Sequence, residues 1–121
     1  MKQKAIENLE CPLQSSKVLL SIADALDAIN GKWRIKIIAV LLDGPKRFKD
    51  ISLQVGNITD RMLSIELKKL ESNLLVEKKS VGYTDQAEYE LSDHGKSLKP
   101  LVMELIHWGG LHRKKVIDNL H

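Results

Sequence analysis

RFKDISLQVGNITDRMLSIELKKLESNLLVEKKSVGYTDQAEYEL, residues 47–91, is the stretch of sequence that decides the fold. It contains two short amphipathic segments with helical spacing, separated by a turn at Gly56 and Asn57, and then two runs in which apolar and charged residues alternate. Helix, turn, helix and hairpin in this order predict a winged helix-turn-helix fold, mainly α with a small β-hairpin.

The second of the two helices is predicted over residues 60–71. Thr59 can cap its free backbone N–H groups, and Asp60 places negative charge at the positive end of the helix dipole. Four leucines recur at helical spacing and are expected to be buried: Leu63, Leu67, Leu70 and Leu74. The other face remains free and carries Arg61, Ser64, Ile65, Lys68 and Ser72.

The helix before the turn and the hairpin after the second helix complete this unit. Gly56 suits the left-handed backbone that ends a helix. Residues 74–81 and 87–91 are predicted to be the strands of the hairpin, with an exposed tip at 82–85. The first helix is expected to pack on the second through Phe48, Ile51, Leu53 and Val55.

Three more helices are predicted outside this stretch. Residues 18–29 place Val18, Ile22, Ala25, Leu26 and Ile29 on one face, and Gly31 interrupts that helix. The helix over 32–42 is expected to stop at Asp43-Gly44-Pro45 and to bury Trp33, Ile37, Val40 and Leu41.

The last helix is predicted from Ser92, as its cap, to about Ile117. Pro100 is expected to kink it, and Gly109-Gly110 to loosen or end it. Its apolar face is broader than a small domain covers, which favours a partner helix. That face comprises Leu98, Leu101, Val102, Leu105, Ile106, Trp108 and Leu111.

The composition suits one globular domain, since the chain has 121 residues and is 43% hydrophobic. A formal net charge of +3 is compatible with a polyanionic partner but is too small to establish one. The distribution says more, because residues 32–49 carry six basic residues against Asp43 alone: Lys32, Arg34, Lys36, Lys46, Arg47 and Lys49. For any single lysine, a solvated helix face is the alternative explanation.

The chain shows no signal for a membrane, for secretion or for catalysis. The longest apolar run, 37–42, is far shorter than the ~20 residues that span a bilayer. A lone Cys11 cannot build a disulfide framework, which favours a cytoplasmic protein. The four histidines lack the spacing of common zinc motifs, and the sequence contains neither a Gly-rich phosphate loop nor a clear Ser-His-Asp order. Neither an enzyme nor a bound metal or cofactor is therefore expected.

The chain resembles the HxlR-type winged-helix transcriptional regulators of bacteria, in order and over nearly its whole length. The resemblance rests on Cys11-Pro12, Gly31-Lys32-Trp33-Arg34, LDGPKRF at 42–48, ITDRML at 58–63, EYELSDHG at 88–95 and Trp108-Gly109. It implies a single domain over 1–121, with an N-terminal arm at 1–12, the helix-turn-helix and wing at 47–91 and a dimerisation helix at 92–118.

The resemblance also implies a homodimer that binds a pseudo-palindromic operator in double-stranded DNA, with repression as the expected effect. The N- and C-terminal helices would form the dimer interface through Val18, Ile22, Leu101, Leu105 and Trp108. The wing departs from the family, because its tip at 81–86 lacks prolines and is slightly shorter. Ile65 and Glu66 stand where the family commonly has glutamine or similar polar residues.

DNA contacts are expected from the second helix and from the basic wing. Arg61 can bind the O6 and N7 of a guanine, or alternatively a phosphate or Glu66. Thr59 and Ser64 are candidates for phosphate or base edges, although Thr59 is more simply a cap. Lys68 suits a phosphate or is a plain surface lysine.

Other expected DNA contacts lie at the edges of this surface. Ile65 could touch a thymine methyl group, although a packed side chain is the commoner role. Tyr83 at the wing tip could enter the minor groove or cover the hairpin. Phosphate contacts are expected from Arg47, Lys78 and Lys79, and Asp60 is also expected at the DNA-binding surface.

Cys11 corresponds, by the same resemblance, to a cysteine that senses oxidants or electrophiles in several members of the family. A small buried hydrophobe is the alternative role. An alternative function for the chain as a whole is a winged-helix module that binds proteins rather than specific DNA, since a fold does not fix a function. Tolerance of Arg61→Ala and Lys68→Ala would indicate that alternative.

Overall fold

The computed structural model of this protein describes residues 16–80 and 86–120. The elements in chain order are α1 (Ser16–Ile29), α2 (Arg34–Leu41), β1 (Lys46–Arg47), α3 (Phe48–Val55), α4 (Asp60–Ser72), β2 (Val76–Ser80), β3 (Ala87–Leu91), α5 (Asp93–Lys96) and α6 (Lys99–Asn119). The contacts divide the described residues into two units, with the boundary between Asn30 and Gly31. Helix α1 belongs to the first unit and all other elements to the second. The prediction of one domain over 1–121 stays a prediction.

The helix-turn-helix consists of α3 and α4, as the sequence predicts. Gly56 ends α3 with a φ of +74°, and Asn57 follows at +54°. Both values lie where glycine and asparagine are tolerated better than most other residues. The two positive angles turn the chain sharply, so that only the four residues 56–59 separate α3 from α4.

The wing is a three-stranded antiparallel sheet in the order β1-β3-β2. The predicted hairpin is confirmed, with Val76 opposite Leu91 and Ser80 opposite Ala87. The sequence did not predict β1, which pairs Lys46 with Tyr89. A two-residue strand has no periodicity to detect.

The core of the second unit lies between the helices and the sheet. It consists of Ile37, Ile38, Leu41, Ile51, Leu63, Leu67, Leu70, Leu75, Val76, Tyr89, Leu91 and Val102. The expectation for Leu53 is wrong, and those for Trp33 and Val40 hold only in part. Leu53 is 72% exposed on the outer side of α3. Trp33 and Val40 are only half-buried, and Ile38 is fully buried instead. Trp33 lies before α2 as its N-cap rather than inside the helix.

The leucine stripe of α4 ends one turn earlier than predicted. Leu63, Leu67 and Leu70 are buried, but Leu74 is 72% exposed. The helix stops at Ser72, and Leu74 then takes a φ of +63°, which carries its side chain out of the helical register. Leu75 is buried in its place and leads into β2.

The C-terminal part contains two helices rather than one kinked helix. Ser92 caps α5, as predicted, because its Oγ accepts the Gly95 N–H at 2.9 Å and also donates to the Leu74 carbonyl at 2.6 Å. Pro100 lies in the first turn of α6 and does not kink it, since the first N–H groups of a helix need no partner inside it. The helix continues through Gly109-Gly110 to Asn119.

No helix in the described residues combines the length and the apolar character that crossing a bilayer requires. Within the same residues, no three His, Cys, Asp or Glu side chains group together in a way that could hold a metal ion.

Candidate nucleic-acid interface

Helix α4 presents a capped N-terminus, which fixes where the candidate interface begins. The Thr59 Oγ1 accepts the Met62 N–H at 3.1 Å, and Asp60 lies in the first turn. The prediction that Thr59 caps the helix is confirmed. Both residues are exposed.

The free face of α4, formed by Arg61, Ser64, Ile65 and Lys68, points away from the core. With 3.6 residues per turn, these side chains fall between about 100° and 200° around the helix axis from Leu63. Arg61 and Lys68 are exposed, Ile65 is 37% exposed and Ser64 is half-buried. Two cationic groups, a hydroxyl and an apolar side chain therefore share one outward surface, the mixture that base edges and phosphates require.

The buried face of α4 carries one charged side chain, Glu66. Its Oε2 lies 3.4 Å from the Nε of Arg34 at the start of α2, and the two side chains are 9% and 12% exposed. Glu66 is therefore paired with Arg34. Arg61 was the alternative partner suggested by the sequence. No side-chain nitrogen or oxygen that is buried in the described residues lacks a hydrogen-bond partner.

The burial of Glu66 was not predicted, although the sequence contains a signal for it. Glu66 lies three residues after Leu63 and four before Leu70, so helical spacing places it beside the leucines. A carboxylate on that face needs a cation from another element. Arg34 lies among the basic residues before the helix-turn-helix, but nothing local distinguishes it from Lys32 or Lys36.

The two wing lysines that were expected to contact phosphates differ in their surroundings. Lys79 forms an ion pair with Glu90 and lies 3.8 Å from Glu77. The Glu90 hydrogen bond and charge, followed by those of Glu77, raise the pKa of Lys79 above its ordinary value, while desolvation opposes them. Lys78 points to the other side of the sheet, with its ammonium 5.8 Å from the centre of the Tyr89 ring.

Arg47 stands exposed at the start of α3 and at the base of the wing. It is the N-cap of α3 and makes no side-chain capping bond. In the sheet it lies opposite Glu88, which in turn lies opposite Lys79. Charges of alternating sign therefore cross the outer face of the wing, and Glu77, Glu88 and Glu90 make this face less basic than its lysines suggest.

Part of the basic excess before the helix-turn-helix is used inside the molecule. The ammonium groups of Lys32 and Lys36 lie 4.8 and 5.3 Å from the centre of the Trp33 ring. Such contacts are attractive because a cation is drawn to the negative face of an indole.

The side chains that were expected to form a dimer interface are accessible in each unit. On α1, Ile22 is exposed and Val18 is half-buried. On α6, Leu101 and Leu105 are exposed, and Trp108 is 61% exposed and stacks on His112 with ring centres 4.8 Å apart. Cys11 and Tyr83 lie outside the described residues.

Comparison with known proteins shows that this chain is similar to helix-turn-helix transcriptional regulators. A family model described as HxlR-like helix-turn-helix matches residues 28–116. The HTH-type transcriptional regulator YkvN of Bacillus subtilis (strain 168), itself uncharacterised, is 36% identical over 90 residues, which cover 74% of this chain and 76% of YkvN. The regulator YodB of the same organism is 34% identical over 102 residues, 84% of each chain.

The fold is also similar to those of solved structures. The redox regulator HypR in its reduced form superposes with a TM-score of 0.76 at 30% identity, covering 81% of this chain and 98% of HypR. YodB has been solved in reduced, quinone-bound and diamide-treated forms, with TM-scores of 0.66, 0.65 and 0.64. The winged helix-turn-helix fold is therefore shared with regulators of known structure.

Proposed function

This chain belongs to the HxlR-like helix-turn-helix family, and we propose that it acts as a dimer that places two copies of α4 in the major grooves of a pseudo-palindromic operator. It is a helix-turn-helix transcriptional regulator, which is not a class of enzyme. The observation that carries the proposal is the free face of α4, which opposes the buried leucines and begins at a capped N-terminus.

Within this face we assign different roles to the two cations. Arg61 lies in the first turn of α4, the part of a recognition helix that goes deepest into the groove, and its guanidinium can bind both acceptors of a guanine. Lys68 lies two turns later, where the groove wall offers phosphates. Ile65 lies between them and can contact a thymine methyl group.

Phosphates beside the groove are assigned to Arg47, at the exposed start of α3, and to Lys78. Lys79 contributes less than these two, because Glu90 and Glu77 already neutralise its charge. Contacts of this kind position the protein on the duplex without selecting its sequence.

The exposed apolar side chains of α1 and α6 support the proposed dimer. Soluble monomers rarely leave such residues grouped in contact with water. A two-fold axis would place the two α4 helices about 34–36 Å apart, one turn of DNA. A bound dimer of this size covers promoter DNA and blocks polymerase, so repression is the proposed effect.

The first experiment measures fluorescence anisotropy of the purified protein on DNA from upstream of its own gene, with scrambled DNA as competitor, at several salt concentrations. We expect a preference for the upstream DNA of about 10³-fold or more and a steep salt dependence. Equal binding to both DNAs at low salt would instead favour a protein-interaction module.

Single variants test the assigned roles. Arg61→Ala is expected to weaken binding to the preferred DNA by about 1–3 kcal/mol more than it weakens binding to scrambled DNA. Lys68→Ala is expected to weaken both equally and to reduce the salt slope by about 1. Lys69→Ala, on the same helix but away from the free face, is the control and should change neither.

We also propose that modification of the Cys11 thiol weakens operator binding. YodB has been solved in quinone-bound and diamide-treated forms and HypR in an oxidised form, which supports a thiol-based signal here. With one cysteine per chain, the product is an intersubunit disulfide, a mixed disulfide with a small thiol, or an electrophile adduct. Diamide or a quinone should lower the affinity of the wild type and not that of Cys11→Ser; equal affinity before and after treatment would contradict the proposal.

A further inference from the structure

The one carboxylate on the buried face of the recognition helix is held by a side chain from outside the helix-turn-helix. We propose that the ion pair between Arg34 and Glu66 sets the rotation of α4 about its own axis and thereby the sequence preference of the regulator. This inference rests on the proposed operator binding and adds two positioning residues that do not themselves touch DNA.

The carboxylate of Glu66 lies between Arg34 and Gly31. Its Oε2 faces the Arg34 Nε at 3.4 Å. Its Oε1 lies beside Gly31, where an added Cβ would be 3.8 Å away, and Gly31 has a φ of +98°. The carboxylate therefore lies under the turn that leads into α2, and both side chains are about nine-tenths buried.

Apolar packing constrains the rotation of α4 less sharply than a directional contact does. Leu63, Leu67 and Leu70 form a stripe along one side, and apolar contacts have no preferred direction. A hydrogen-bonded ion pair at the edge of the stripe requires one direction of approach. Buried ion pairs often add little to stability compared with apolar residues, and their best-attested use is to select one arrangement among several.

A small rotation of α4 is enough to matter at its free face. The side chains of a helix end about 5–6 Å from its axis, so a rotation of about 20° moves them by about 2 Å. A bidentate contact from Arg61 to a base does not survive such a shift, because hydrogen bonds weaken steeply with distance and angle. A lysine that faces phosphates tolerates it, since a point charge has no required direction.

The decisive variant replaces both partners by apolar residues, Arg34→Met/Glu66→Leu. We expect it to fold with a melting temperature equal to or above that of the wild type and to bind scrambled DNA as the wild type does. Its preference for the upstream DNA should fall about tenfold or more, the effect of losing one base contact. Lys69→Leu is the matched control, because it places an added leucine on the exposed side of the same helix.

Two conservative variants give a second measurement that does not depend on the folding of the double variant. Glu66→Gln keeps the length of the side chain and an oxygen that accepts the Arg34 N–H, so the preference should remain within about threefold of the wild type while the melting temperature falls. Arg34→Lys keeps the charge but loses the planar fork, so the preference should fall about as far as in the double variant.

The possible outcomes separate this inference from the proposed function. A folded double variant that keeps the full preference, or an Arg34→Lys variant that keeps it while Glu66→Gln loses it, overturns the positioning role and leaves operator binding intact. A wild type without any preference overturns both.

Discussion

At the scale of single residues, Leu74 combines a left-handed backbone with an exposed apolar side chain. Its φ is +63°, and 72% of its surface is exposed. The conformation is held from both sides, since the Leu74 N–H donates to the Glu71 carbonyl at 3.0 Å and the Ser92 Oγ donates to the Leu74 carbonyl. Residues with a Cβ lose about 1–2 kcal/mol in this region, whereas glycine does not.

Leu74→Gly is therefore expected to stabilise the protein. Relief of the left-handed conformation outweighs the additional flexibility of glycine in the unfolded chain, which costs about 0.5–1 kcal/mol, so a net gain of about 0.5–1 kcal/mol is expected. The free energy of unfolding from urea titration measures it. Leu74→Ala separates the causes, because alanine removes the exposed side chain but keeps the strain; an equal gain from alanine would exclude the backbone explanation.

The same residues show how far periodicity predicts this fold. Spacing alone predicted the burial of Leu63, Leu67 and Leu70, because a helix places such residues on one face. It failed at Leu74, since periodicity does not indicate where a helix stops and its backbone reverses hand. Spacing also places Glu66 beside these leucines, but it does not identify the partner that allows a carboxylate to be buried there, because Arg34 is 32 residues away in the chain.

At the scale of elements, the wing depends on one lysine between two acidic residues. Glu77 and Glu90 lie directly opposite each other in the register of β2 and β3. Like charges in this position repel, and Lys79 relieves the repulsion because it contacts both carboxylates. We expect Lys79→Met to lower the free energy of unfolding at neutral pH, as measured by urea titration.

The contribution of Lys79 should disappear at high pH. Its pKa is raised in the folded protein by Glu90 and then Glu77 above the ordinary value of 10.5, so the ammonium form is favoured by folding. The stabilisation is therefore fully present below about pH 10.5 and is lost as the pH rises through the folded pKa. The difference between wild type and Lys79→Met should shrink above that pH, whereas a difference that persists there would indicate packing rather than charge. Lys69→Met provides the baseline for a lysine outside the wing.

Helix α5 packs against the wing so closely that only glycine fits at position 95. A Cβ on Gly95 would lie 2.1 Å from the carbonyl oxygen of Leu75 and 3.2 Å from the Cδ2 of Leu91. Gly95→Ala must push α5 away from the strands and strain the bond from the Ser92 N–H to the same carbonyl. We expect a loss of about 1–3 kcal/mol in the free energy of unfolding. Gly110→Ala, in a helix with nothing within 4 Å of the added Cβ, should instead gain up to about 1 kcal/mol.

The elements as a whole were predictable where a pattern was long enough. The hairpin, the two helices of the helix-turn-helix and the cap at Ser92 follow from local signals. The position of Pro100 at the start of α6 does not follow from such signals. A proline inside a helix and a proline that begins the next helix give the same sequence pattern until the end of α5 is known. The pairing of β1 with β3 depends on the register of β3 and on no feature of Lys46 and Arg47 themselves.

At the scale of the whole molecule, α6 carries far more apolar surface than its own chain covers. Among its 21 residues only Val102 is buried. Six of its eight large exposed apolar side chains lie within about half of the circumference and continue past the part that contacts the core: Leu101, Leu105, Ile106, Trp108, Val116 and Ile117. A second subunit is the proposed cover for this surface.

Leu105→Lys tests that cover and its link to DNA. A lysine at the centre of the apolar half cannot be buried without a partner, so the dimer should dissociate at micromolar concentration, as measured by sedimentation equilibrium. Because one α4 then contacts only one half-site, affinity for the operator should fall by about 10²-fold or more, while the melting of the winged unit stays cooperative. His107→Lys places the same group on an exposed position nearly opposite Leu105 around the helix, and it should leave the dimer and the affinity intact. If the Leu105→Lys protein remains dimeric, the dimer interface does not lie on this face of α6. If it is a monomer with undiminished affinity for the operator, a single recognition helix is sufficient for binding.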